Sequence, residues 1–243
     1  MKKILKSTAK ALLPRALVER LRRPAGVRPV RWGDLRRTTP IARGFGYERG
    51  EPIDRYFIHK FLAQSSDAIR GRVLEMSDRD YTVRFGGDKV IQSDVLHAVA
   101  GNPAATLFGN LETGEGVPES VFDCFILTQT LHEIYRFQDA LRTVYRVLKP
   151  GGVLLATFPC ISQVSMYDVK AGWGDYWRFT SLAVRRMLSE VFPEEYLRLG
   201  THGNVLTAAS FLYGLTSPEL TERELDEVDP EFVMLVTARA QKP

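Results

Sequence analysis

Cysteine is scarce in this chain, with only Cys124 and Cys160 among 243 residues. Both fall in or beside apolar runs, which predicts buried thiols rather than a disulfide framework. Histidine is also scarce, at four residues: His59, His97, His132 and His202. No cluster of Cys and His has the spacing of a metal centre, so no metal is expected. Long apolar runs are missing too, and nothing approaches the roughly 20 residues of a membrane span. The stretch MKKILKSTAKALLPRALVERLRRP has the outline of a signal peptide. Lys6, Lys10, Pro14 and Arg15 interrupt it, leaving no apolar h-region of roughly 7–15 residues. A cytoplasmic protein is expected.

What the chain does have is charge, unevenly placed. Residues 1–50 hold 14 Lys and Arg against 3 Asp and Glu, whereas the rest holds 19 against 26. Residues 1–50 read as a basic N-terminal arm and residues 51–243 as the folded domain. Ile4, Leu5, Leu12, Leu13, Leu17, Val18 and Leu21 form a basic amphipathic stretch kinked at Pro14. Peripheral membrane contact, packing on the protein's own acidic body and terminal disorder all remain open for it. The body outside the arm is net acidic, which argues against nucleic acid as a partner. A hydrophobic content of 44% with 26% charge is enough for a packed core. Oligomeric state is not legible.

Periodicity predicts alternating elements. Ile53, Tyr56, Phe57 and Phe61 share one helical face, in a helix running to about residue 68. Short apolar runs then predict strands at Arg72–Met76, Lys89–Ser93, Ala105–Phe108, Phe122–Thr128 and Val153–Phe158. A helix over 137–148 is stopped by Pro150-Gly151-Gly152. A helix from Thr180 or Ser181 through Phe192, a strand near Tyr196–Leu199, a helix over 204–215 and a strand Phe232–Ala238 complete the pattern. Strands alternating with helices imply an α/β fold. The expected form is Rossmann-like: a mostly parallel seven-stranded sheet, helices on both faces, and an antiparallel C-terminal edge pair. Ligands in such sheets bind beyond the carboxyl ends of the strands where strand order reverses.

Several segments, taken in order, resemble the class I S-adenosylmethionine-dependent methyltransferases, specifically the methyltransferase type 11-like domain. They are VLEMSDRDY (73–81), SDVL (93–96), FDCFILTQTLHEI (122–134), RVLKPGGVLLATFP (146–159) and DYWRFT (175–180). The resemblance implies S-adenosyl-L-methionine as cofactor and a small-molecule or saccharide acceptor, with oxygen as the atom methylated. It places Glu75 near the cofactor's amino-acid end, Asn110 and Leu111 near the adenine, and Thr128 and Gln129 on the floor after the fourth strand. Asp94, at the expected end of the second strand, is placed to accept the ribose hydroxyls. Arg55 is a candidate partner for the methionyl carboxylate. His132 follows the fourth strand, as a general base or as a packing residue at a helix start. Trp173, Tyr176 and Arg178 are candidates for the acceptor wall.

One loop departs from the family. Where the resemblance expects three glycines after the first strand, the chain carries Ser77, Arg79 and Tyr81. Side chains there imply another path for the loop, or a fold kept as an inactive binding or scaffold protein. The same loop lacks G-x-G-x-x-G, which disfavours a dinucleotide.

Overall fold

A computed structural model describes residue 31 and residues 33–243. The amphipathic basic stretch lies outside the described residues. Residues 1–39 and 40–243 are separate units, and both cavities described below lie in the second. No helix among the described residues is long and apolar enough to cross a membrane.

Seven strands form one sheet: β1 (Gly71–Met76), β2 (Val90–His97), β3 (Leu107–Phe108), β4 (Phe122–Thr128), β5 (Leu148–Pro159), β6 (Leu197–His202) and β7 (Leu235–Gln241). Their order is β3-β2-β1-β4-β5-β7-β6. β1 to β5 pair in parallel, and β7 runs antiparallel to both β5 and β6. This is the mostly parallel sheet with an antiparallel C-terminal pair that the sequence predicts. Helices are α1 (Ile53–Gln64), α2 (Asp80–Gly86), α3 (Phe137–Val147), α4 (Met166–Ala171), α5 (Ser181–Ser189), α6 (Val205–Leu212) and α7 (Glu222–Asp226).

The central strands are buried on both faces, so successive residues alternate between two cores. On one face Leu74, Phe125, Leu127, Leu154 and Phe158 pack with Leu141 and Val144 of α3 and with Val184 and Leu188 of α5. On the other, Val73, Cys124, Ile126 and Leu155 pack with Phe57, Ile58 and Leu62 of α1. Cys124 is fully buried, and burial raises its thiol pKa. Thr180 caps α5, its hydroxyl accepting from the Ala183 N–H at 3.2 Å.

Two boundaries differ from the sequence reading in ways that bear on function. β2 does not stop before Asp94; it continues through Val95 and Leu96, both fully buried, to His97. The segment after β1, with no helix predicted, begins α2 at Asp80.

Candidate functional site

The carboxyl ends of β1 and β4 lie side by side where the path of the chain reverses, β1 leading outward to β2 and β4 to β5. Each strand is followed there by a non-glycine residue in the left-handed region: Ser77 at φ 69° and Gln129 at φ 45°. Such backbone costs on the order of 1–3 kcal/mol and persists only where surrounding structure imposes it. Around Ser77, its N–H donates to the Leu96 carbonyl at 3.2 Å and its carbonyl accepts from Asn102 Nδ2 at 2.6 Å. The Gln129 N–H donates to Thr157 Oγ1 at 3.1 Å. Of the three expected glycine positions, only Ser77 has a positive φ. Arg79 sits at φ −122° and Tyr81 in the first turn of α2, so neither needs glycine's freedom.

Two cavities open over these turns, of about 1060 Å³ and about 810 Å³. They share Tyr47, Arg55, Gln129, Glu133, Tyr167 and Asp168 as a common wall.

The larger cavity gathers Arg55, Glu75, Ser77, Asn110, Leu111, Thr128, Gln129 and Trp173 from among the residues singled out in the sequence. Glu75 also caps α2: its carboxylate accepts from the N–H groups of Tyr81 (3.1 Å) and Thr82 (2.8 Å) and from the Thr82 hydroxyl (2.7 Å). Burial raises its pKa to about 7, and those donors act against the rise. Asn110 turns its Oδ1 to the N–H groups of Glu112 (2.7 Å) and Thr113 (3.3 Å), leaving its NH2 as the free function. Arg55 donates to Tyr47 Oη at 2.9 Å and to Tyr81 Oη at 3.4 Å. Burial disfavours its charge, but Asp54 and the two phenols outweigh that and raise its pKa. Arg55 takes part in no ion pair among the described residues.

Asp94 is not brought to either cavity. It sits inside β2 opposite Leu74, and its carboxylate accepts from Arg72 Nε at 2.6 Å and from Thr106 Oγ1 at 3.1 Å. The strand end belongs instead to His97, which lines the larger cavity. Its Nδ1 bonds the Val99 carbonyl at 2.8 Å, and its ring meets Trp173 edge-on at 5.3 Å. Trp173 therefore stands beside His97 on the larger cavity, not on the second one. Tyr176 lines neither cavity and packs edge-on against Tyr135. Arg178 lines neither as well, being held by Asp175 (Nη2 to Oδ2, 2.9 Å) and the Gln163 carbonyl (2.6 Å).

The smaller cavity holds His132, Asp54, Glu133 and Asp175 against Arg43 and Arg55. His132 is buried, and desolvation lowers its pKa to about 4. Glu133 is pushed the other way, to about 8, by burial and by Asp168 and Asp175. Their closest approach, His132 Nε2 to Glu133 Oε1, is 3.7 Å. Asp54 escaped the sequence reading. The only signal for it was an acid at the start of an otherwise buried helix face, next to Ile53. It accepts from Gln129 Nε2 at 3.2 Å, tying α1 to the turn after β4.

Residues 88–156 match the methyltransferase domain family. A crystal structure of a SAM-dependent methyltransferase from Archaeoglobus fulgidus superposes with a TM-score of 0.50 at 12% identity, covering 77% of this chain and 94% of that one. The [4+2]-cyclase SpnF gives the same TM-score of 0.50 at 15% identity, covering 80% and 84%, so this fold alone does not name a reaction. Among curated proteins, a probable polyketide synthase 10 of Dictyostelium discoideum is 26% identical over 97 residues, 40% of this chain and 4% of that protein's length. Residues 88–156 are thus similar to the methyltransferase domain family, and the sheet has the fold of these solved structures.

Proposed function

We propose that the chain transfers a methyl group from S-adenosyl-L-methionine to a small molecule, with the cofactor in the larger cavity and the acceptor in the smaller. The observation that carries this is the pair of left-handed residues, Ser77 and Gln129, beneath a cavity rich in carboxyl groups. Seven carboxyl side chains line it (Glu51, Glu75, Asp78, Asp80, Glu112, Glu133 and Asp168) against two guanidinium groups, Arg55 and Arg84. Such a wall suits a sulfonium compound and opposes a pyrophosphate, because like charges at close quarters disfavour binding.

The residues present fit the cofactor. Arg55, charged and outside any ion pair among the described residues, suits the methionyl carboxylate. Glu75 stands at the end of β1 for the amino group. His97, in the place expected of Asp94, offers Nε2 to a ribose hydroxyl, with Trp173 beside it and Asn110 and Leu111 for the base. Bound there, S-adenosylmethionine supplies an electrophilic methyl group. The protein's part is to align a nucleophile with it, an orientation effect worth about 7–11 kcal/mol.

A hydroxyl acceptor, including a saccharide, would draw on His132 as general base. An imidazole whose pKa is about 4 is poorly matched to that task near neutral pH, which weakens the oxygen expectation. The reading as an inactive binding protein draws on one feature: Ser77 and Tyr81 line the cavity at positions where glycines would leave room.

Calorimetric titration with S-adenosylmethionine and S-adenosylhomocysteine tests the proposal. Micromolar affinity, weakened tenfold or more in Arg55→Gln, is expected. No heat and no thermal shift at millimolar ligand would leave the binding-module reading in its place.

A further inference from the structure

The smaller cavity is unbalanced in its hydrogen-bonding capacity. Three buried side-chain atoms on its wall have no partner: Asp54 Oδ1, Gln129 Oε1 and His132 Nδ1. Asp54 is 7% exposed and His132 8%. The first two are acceptors, and His132 Nδ1 accepts or donates according to which ring nitrogen carries the proton. Burying such atoms without a partner is costly, so a ligand that satisfies them gains accordingly.

Most donors nearby are already engaged; among the described residues the Arg43 guanidinium on the same wall and the buried Arg178 Nε are exceptions. Gln129 Nε2 serves Asp54, Gln163 Nε2 serves the Arg43 carbonyl at 2.6 Å, and Arg178 serves Asp175 and the Gln163 carbonyl. Arg55 donates to two phenols. Among the carboxylates, Asp175 is neutralised by Arg178. Asp54, Glu133 and Asp168 have no ion pair with a permanently charged group among the described residues.

We infer that this cavity takes the head of a protonated small-molecule amine, with Asp54, Gln129 and Glu133 receiving its N–H groups, and that nitrogen is the atom methylated. The inference rests on the methyl-transfer reading and narrows its acceptor. Phe45, Phe211 and Leu212 line the same cavity and give the amine an apolar body to pack against.

The proton chemistry follows from Glu133. An ammonium brought against it stabilises the carboxylate form. The N–H bond then breaks, the proton forms an O–H bond on Glu133, and the electron pair stays on nitrogen as the nucleophilic lone pair. Ammonium and carboxylate become neutral amine and neutral acid, so charge balances. Glu133 is the better base of the two candidates, because its pKa of about 8 lies nearer an alkylammonium's than the value of about 4 at His132. Asp54, Asp168, Asp175, Arg43, Arg55, His132, Tyr47 and Tyr167 are the charged or titratable groups that share this wall with it.

The test uses the full chain and matched probes. Ethylamine, butylamine and phenethylamine are each titrated against the alcohol of the same carbon frame, with and without S-adenosylhomocysteine. At least one amine is expected to bind tenfold or more tightly than its alcohol, a difference of about 1.4 kcal/mol. The Asp54→Asn/Glu133→Gln double variant should lose most of that preference, measured at S-adenosylhomocysteine concentrations that saturate each protein. If the double variant does not fold, Glu133→Gln alone carries the comparison, since that side chain is 25% exposed. A panel in which no amine outbinds its alcohol, whether both bind or neither does, overturns the inference. Survival of the preference in the variant overturns it too. Amine preference without any S-adenosylhomocysteine binding would sink the methyl-transfer reading and leave an amine site.

Discussion

Ser77 and Gln129 follow neighbouring parallel strands, β1 and β4, and both are held left-handed, at φ 69° and 45°. Neither is glycine, so the backbone at the mouth of the larger cavity is strained at two adjoining points. Strain of this kind gathers where a loop must approach a ligand closely.

Relief of that strain is measurable at Ser77. The left-handed penalty of about 1–2 kcal/mol exceeds the entropy that glycine adds to the unfolded chain, about 0.4–1 kcal/mol. Ser77→Gly should therefore raise the unfolding free energy by about 0.5–1 kcal/mol. Ser77→Val should lower it, because a β-branched residue tolerates positive φ poorly. Urea denaturation of the three proteins decides it, and a destabilised glycine variant would show that the loop is not strained.

Asp94 and Arg72 form an ion pair within the sheet, away from both cavities. The Asp94 side chain is 6% exposed and Arg72 28%, at 2.6 Å. Removing one partner of a fully buried pair costs about 3–5 kcal/mol, and partial exposure of Arg72 reduces this to about 2–3 kcal/mol. Asp94→Ala should lose that much stability while its affinity for S-adenosylhomocysteine stays within twofold of the parent. A tenfold loss of affinity in a folded variant would return Asp94 to the cofactor site.

His97 should carry the recognition expected of Asp94. His97→Ala is predicted to weaken S-adenosylhomocysteine about tenfold, and Tyr176→Ala to leave it unchanged, since Tyr176 lines neither cavity. Equal effects from the two substitutions, measured calorimetrically, would remove His97 from the site.

Glu133 makes stability depend on pH. Its pKa rises from the ordinary 4.5 to about 8 on folding, so between those values the native state binds the extra proton. Stability from this group is complete below about pH 4.5 and declines as pH rises through 8. His132 acts oppositely: its pKa falls from 6.5 to about 4, so stability is lost as pH falls through that window. Melting curves from pH 5 to 9 should show Glu133→Gln flattening the alkaline decline, and His132→Asn should flatten the acid one. A Glu133→Gln profile parallel to the parent's across pH 5 to 8 would contradict the raised pKa.

Much of the fold is legible in the sequence because burial periodicity is a local signal. The face formed by Ile53, Phe57 and Phe61 and the apolar runs at β1, β4 and β5 announce their elements directly. The family resemblance implies Glu75, Ser77, Asn110, Leu111, Thr128 and Gln129 as cofactor residues, and all six line one cavity. Asp94 fails for the complementary reason. A polar residue inside a buried strand reads as the strand's end unless its partner is known, and that partner, Arg72, lies on another strand.

The sequence by itself determined the α/β architecture and the mostly parallel order, since these follow from hydrophobic spacing and short connections. Tertiary structure alone decided which side chains meet at the two cavities. It brought Asp54 from α1 to Gln129 and put His97 at the strand end. It also drew Tyr176 and Arg178 away from both cavities. The Asp54–Gln129 contact joins residues 75 positions apart, and no local pattern encodes such contacts, because each depends on how separate elements pack across the sheet.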